Sequence, residues 1–200
     1  TKIVEAVVSA VDCPVTVKMR TGITRAKMNA VALARDFEKC GIQAITIHGR
    51  TRDCSYKIPA EYNTVKKVKE SVNIPVLVNG DITDGKVATL AIKESGADGV
   101  MIGREACGNP WVFSMIRAHL DGVEYSPPEP VVILDVLEGY VDSIYTLYGS
   151  NRGFLIARKH VKWFLQKSGL DQYGEPREFN KLKDVLAQKR FLTEIRKKIV

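Results

Sequence analysis

Four short apolar segments recur along the first half of the chain, and their spacing is what most limits the fold. They are Pro14-Val-Thr-Val-Lys-Met-Arg-Thr-Gly22, Ala44-Ile-Thr-Ile-His-Gly-Arg-Thr-Arg52, Pro75-Val-Leu-Val-Asn-Gly-Asp-Ile-Thr83 and Gly99-Val-Met-Ile-Gly-Arg104. Each is a β-branched run that ends in polar or glycine residues, and their starts lie 30, 31 and 24 residues apart. Strands that are apolar throughout, rather than alternating, are those of a parallel sheet covered on both faces.

Helical patterns fill the intervals. One spans about Arg25 to Cys40, with Ala30, Leu33, Ala34 and Phe37 on one stripe and Gly41 placed to cap it. The next uses Val65, Val68 and Val72. A third starts near Thr83 or Asp84, both good N-caps, and runs to Ser95-Gly96. Strand–helix units of this period build a barrel or an open doubly wound sheet. Pro127-Pro128 and Pro130 then break the pattern, and helix-length segments follow near 130–149, 152–168 and 178–197 without a strand signal. These features predict an α/β region over residues 1–125 and an all-helical region over 126–200.

The apolar fraction of 45% and charged fraction of 26% are those of a globular chain. The longest apolar runs fall far short of the ~18 residues that span a bilayer. No secretory pattern opens the chain, since Lys2 and Glu5 interrupt what reads as half a surface helix, so a cytoplasmic location without membrane contact is expected. Cys13, Cys40, Cys54 and Cys107 form no CxxC pair and His48, His119 and His160 are scattered, which argues against a metal site and for reduced, mostly buried thiols. The net charge of +7 is uneven. Residues 126–151 carry four acids and no Lys or Arg, whereas residues 152–200 carry 13 basic residues against five acidic ones. A basic helical end suits a polyanion, although a solvated surface has the same composition.

In β/α architectures ligands gather at the carboxyl ends of the strands. Those ends carry Lys18 and Arg20; His48, Arg50 and Arg52; Asn79, Gly80 and Asp81; then Gly103 and Arg104. The set is mostly cationic and interleaved with glycine, as a phosphate-bearing ligand requires. The plainer alternatives are a turn at Asn-Gly-Asp, a lysine that snorkels to the mouth, and a histidine that only bonds its neighbours.

Together these residues carry a resemblance. Val15-Thr-Val-Lys-Met-Arg-Thr-Gly22, Ile47-His-Gly-Arg-Thr-Arg52, Val78-Asn-Gly-Asp-Ile-Thr83 and Met101-Ile-Gly-Arg-Glu-Ala-Cys-Gly-Asn-Pro-Trp111 resemble the later barrel strands of the tRNA-dihydrouridine synthases, the DusB-like branch in particular. Ala157-Arg-Lys-His-Val-Lys-Trp-Phe-Leu165 is similar to that family's helical region. The resemblance implies the last four β/α units of a TIM barrel followed by a helical tRNA-binding domain. It also implies FMN at the barrel mouth, reduced by NADPH, and hydride transfer to a flipped-out uridine of tRNA. Lys18 and His48 would then border the flavin ring. Asn79, Gly80, Asp81, Gly103 and Arg104 would hold its phosphate. Arg50 or Arg52 would meet the substrate, and Arg158, Lys159 and Lys162 would follow the tRNA backbone.

The family's proton-donor cysteine lies in an asparagine-x-glycine-cysteine-proline loop, and no such string occurs here. No catalytic residue is therefore assigned. The expectation is a truncated chain, inactive alone, whose sheet edges pair with a missing N-terminal half or a second copy. Two other readings fit part of the pattern: another FMN-binding barrel of the dihydroorotate-dehydrogenase kind, or a non-catalytic RNA-binding protein.

Overall fold

The structure is a computed structural model and describes residues 1–199. In chain order the elements are α1 (Lys2–Ala10), β1 (Thr16–Arg20), β2 (Gly22–Thr24), β3 (Lys27–Met28), α2 (Ala30–Lys39), β4 (Ala44–His48), α3 (Asn63–Lys69), β5 (Val76–Asn79), α4 (Gly85–Ser95) and β6 (Gly99–Met101). A 3₁₀ turn (Arg104–Ala106), α5 (Val112–Leu120), α6 (Pro130–Ser168), α7 (Pro176–Lys181) and α8 (Val185–Ile199) follow. They form two compact units. One holds Thr1–Gly103 with Ile116–Val123, the other Arg104–Met115 with Glu124–Val200.

The first unit is built on a four-stranded parallel sheet of order β1-β4-β5-β6, in line with the strand spacing. Ile45 and Ile47 of β4 and Val76 and Val78 of β5 are fully enclosed. Ala34 and Phe37 of α2, Val65 and Val68 of α3, and Ala88 and Ala91 of α4 are buried with them. Each such valine or isoleucine contributes about 1.5–3 kcal/mol of transfer free energy. Among the described residues no further strand pairs with the outer edge of β1 or of β6.

The helix expected from Arg25 starts five residues later, at Ala30. Residues 22–28 instead form the small antiparallel β2–β3 hairpin. Gly22 permits it, because a Cβ there would lie 2.5 Å from the Lys27 carbonyl oxygen. The Thr21 carbonyl then accepts from both Asn29 N and Ala30 N, which aims the chain into α2. α4 matches its caps: the Asp84 side chain accepts from Val87 N, and Gly96 closes the helix at φ 65°.

The second unit packs helices around Leu134, Leu137, Val161, Leu165, Leu170, Phe179, Leu192 and Ile195. α6 is broken at Gly149 (φ 72°, ψ 167°). The helix expected over 178–197 is in fact two. Leu182 is extended and ends α7, and Asp184 Oδ1 caps α8 by accepting from Ala187 N. None of the four cysteines is fully buried, contrary to expectation: Cys13 is exposed, the others are half-buried, and all are free thiols. No helix among the described residues is long and apolar enough to cross a membrane.

Candidate functional site

Parallel register sets the site. Arg20 is the partner of His48, His48 of Asn79, and Asn79 of Met101, so one row runs across the carboxyl ends of all four strands. Lys18 lies two residues before Arg20 on the same face of β1. Lys18 is exposed, while His48 and Asn79 are buried. Asn79 Nδ2 donates to the Met101 carbonyl at 2.8 Å, which ties β5 to β6 at this level.

Behind the row sits an arginine with almost no solvent contact. Arg50 donates from Nη2 to Asp81 Oδ2 (2.5 Å) and from Nε to the Ile58 carbonyl (2.7 Å), and its Nη1 lies 3.2 Å from His48 Nε2. Asp81 Oδ2 also accepts from Ala60 N at 2.9 Å. The Tyr56 ring stacks beside His48, centroids 6.1 Å apart, with the Arg20 and Arg50 guanidinium groups against it. Arg20 Nη1 donates to the Thr51 carbonyl at 2.7 Å and the Arg52 carbonyl at 3.2 Å. Backbone geometry completes the turn: Gly80 has φ 127° and Asp81 φ 55°, and Tyr62 Oη donates to the Gly80 carbonyl.

Electrostatics follow from this crowding. Burial, then the cations of Lys18, Arg20 and Arg50, depress His48 to about 4, against the opposing pull of Asp81. The imidazole is neutral across the physiological range. Partial burial also lowers the Lys18 ammonium; Tyr56 opposes that shift and Arg20 adds to it.

The structure thus brings Lys18, His48, Asn79, Gly80 and Asp81 into one neighbourhood. Gly103 follows β6, with open space where a Cβ would stand. Arg104 opens the 3₁₀ turn of the second unit. Arg50 is a buried pillar of the site, whereas Arg52 is exposed and is held by its backbone N to the Gly22 carbonyl. In α6, Lys159 and Lys162 are exposed, with Lys159 Nζ 5.3 Å from the Trp163 ring centre. Arg158 is half-buried, rests on Phe154 and donates to the Leu182 carbonyl at 2.9 Å. Tyr56 escaped the sequence reading, since it sits in an aperiodic loop. Among the described residues no group of three His, Cys, Asp or Glu converges as a metal site would need.

The donor set fits a planar, phosphate-bearing cofactor. The open space at Gly103 lets a ligand approach the backbone, Lys18 offers an accessible ammonium, and the Asp81 carboxylate is offset by Arg50 rather than facing the mouth unpaired.

The family model described as "Dihydrouridine synthase (Dus)" matches residues 1–199. tRNA-dihydrouridine synthase B of Serratia marcescens is 47% identical over 189 residues, covering 94% of this chain and 56% of that protein. The Yersinia pestis protein of the same name is 46% identical over 189 residues, and the Escherichia coli K12 protein 45% over 188, each with 58% of its length matched. The chain therefore spans a little under three fifths of the curated relatives it matches. With every described residue inside the family match and 94% of the chain matched by the Serratia marcescens protein, the chain belongs to the dihydrouridine synthase family.

Proposed function

We propose that the four strand–helix units are the last four of a TIM barrel, and that they form the flavin-binding mouth of an enzyme reducing uridine in tRNA to 5,6-dihydrouridine. The row Arg20–His48–Asn79, with Lys18 on its face, carries this reading, because it sets cationic and donor groups together at the carboxyl end of a parallel sheet. When bound, FMN supplies the hydride it has received from NADPH. Lys18 stabilises negative charge near the flavin ring, and neutral His48 borders ring and base. Backbone N–H groups around Asn79, Gly80 and Asp81, with Gly103, take the phosphate. Arg50 supports His48 from behind, and Arg52 stands exposed toward substrate. Lys159 and Lys162 follow phosphates of the tRNA, whose uridine must leave its stack to reach a barrel mouth. None of these residues is assigned the proton-donor role.

The test is binding by the purified chain. Titration with FMN, followed by quenching of flavin fluorescence, is expected to saturate, and a tRNA shift assay is expected to weaken as salt rises. Flavin uptake without tRNA binding would favour another flavin-binding barrel. tRNA binding without flavin uptake would favour a non-catalytic RNA-binding protein.

A further inference from the structure

The Arg50 guanidinium carries N–H donors and no acceptor. Its 3.2 Å contact with His48 Nε2 therefore has one polarity: Nε2 offers its lone pair, and the proton of the neutral ring sits on Nδ1. Protonating Nε2 would set two N–H groups against each other.

Three further contacts hold Arg50 in that pose. Nη2 donates to Asp81 Oδ2 and, at 3.4 Å, to the Tyr56 carbonyl, and Nε donates to the Ile58 carbonyl; Asp81 Oδ2 is itself fixed by Ala60 N. The Cδ2–Nε2 edge of the imidazole also faces Gly80, since a Cβ built on that glycine would lie 3.2 Å from Cδ2 and 3.6 Å from Nε2. The Nδ1 edge is turned the other way and makes no hydrogen bond to any described residue. Among the described residues, Lys18 and Arg20 of β1, Arg50 of the loop after β4 and Asp81 after β5 act electrostatically on the ring, and Tyr56 of the loop after β4 stacks beside it. Three cations outnumber one carboxylate there, and they add to burial in keeping the imidazole uncharged.

We propose that the Asp81–Arg50 pair is a tautomer lock that fixes the proton of the neutral His48 ring on Nδ1, so that His48 meets a ligand as a fixed hydrogen-bond donor to an oxygen acceptor and not as a source of protons. Arg50 and Asp81 are then positioning residues that act through His48. That the acceptor is a ring carbonyl of a flavin or pyrimidine rests on the function proposed above; the tautomer does not.

Two-bond ¹H–¹⁵N NMR reads the tautomer directly, and the chain has only three histidines to distinguish, with His48→Gln assigning the signal. The wild-type protein, without flavin at pH 7, is expected to show a protonated Nδ1 and a lone-pair Nε2 at His48. Arg50→Met should release the ring to the Nε2–H form that free histidine prefers, and Arg50→Lys, which still donates, should retain Nδ1–H. A wild-type His48 bearing its proton on Nε2 overturns the inference even if no variant folds, and so does an Arg50→Met spectrum identical to wild type. Adding FMN should shift the Nδ1 resonance and leave the tautomer in place; FMN that binds without moving it removes the donor role. A locked tautomer in protein that takes up no FMN would uphold the lock and overturn the flavin reading alone.

Discussion

Arg50 donates to Asp81 from a side chain that is 1% exposed, while the carboxylate that receives it is 34% exposed. Loss of the carboxylate therefore strands a cation that water cannot reach. Asp81→Asn keeps the shape and tolerates the positive φ, but it is expected to cost about 2–3 kcal/mol, because breaking one side of an enclosed pair leaves the other charge uncompensated. A drop in the urea midpoint of the first transition, without a change in slope, is the outcome to look for.

Gly80→Ala should be at least as damaging. At φ 127° a new Cβ would stand 2.6 Å from the Ala60 Cβ, and neither atom belongs to a flexible side chain. The combined backbone and packing penalty is on the order of 3 kcal/mol. Thermal melts should show it, whereas alanine at Gly103, beside open space, should leave the melting temperature nearly unchanged.

Acid should weaken the fold through His48. Its folded value of about 4 lies below the ordinary 6.5, so between those values the unfolded chain binds more protons than the folded one. The stability His48 supplies is complete above about pH 6.5 and is lost as the pH falls toward 4. Relative to His48→Gln, the wild type should lose on the order of 1–2 kcal/mol across this window, allowing for solvent screening. Parallel stability–pH curves for the two proteins would contradict this.

Tyr145 Oη donates to Gln188 Oε1 at 2.7 Å within the helical core, and Gln188 Nε2 donates to the Phe154 carbonyl at 3.0 Å. Tyr145→Phe leaves that amide oxygen buried and unpaired, with an expected cost of about 1–2 kcal/mol to the unfolding of the helical unit.

On the tRNA reading, Lys159→Gln and Lys162→Gln should weaken binding and should each reduce the slope of log affinity against log salt by about one. Arg158, which is committed to the Leu182 carbonyl, should change stability more than the salt slope.

The strands were legible because β-branched runs ending in polar residues have few other solutions, and Asp84 and Gly96 punctuate α4 as their chemistry requires. The β2–β3 hairpin was hidden: Ile23 and Thr24 are too short a run, and Gly22 matters only through its approach to Lys27. The split between α7 and α8 turns on Leu182 and on a cap at Asp184 that a continuous apolar stripe conceals. The burial of Arg50 is non-local in origin. Its partner Asp81 is 31 residues away, and only the β4–β5 pairing, which sets His48 opposite Asn79, brings the two together. A charged residue at a strand end reads as solvent-facing until its counter-ion is located. Tyr56 had no periodicity to betray it.

Arg20 is anchored by peptide oxygens, those of Thr51 and Arg52, and by the Tyr56 hydroxyl. Carbonyl dipoles orient a guanidinium without cancelling its formal charge, so the strand-end row keeps a positive field reaching out over roughly the 8 Å Debye distance of physiological saline. Diffusing anions are drawn toward the strand ends before any contact is made. Encounter rates at this face should accordingly slow as background electrolyte is added, even where the final complex is little weakened.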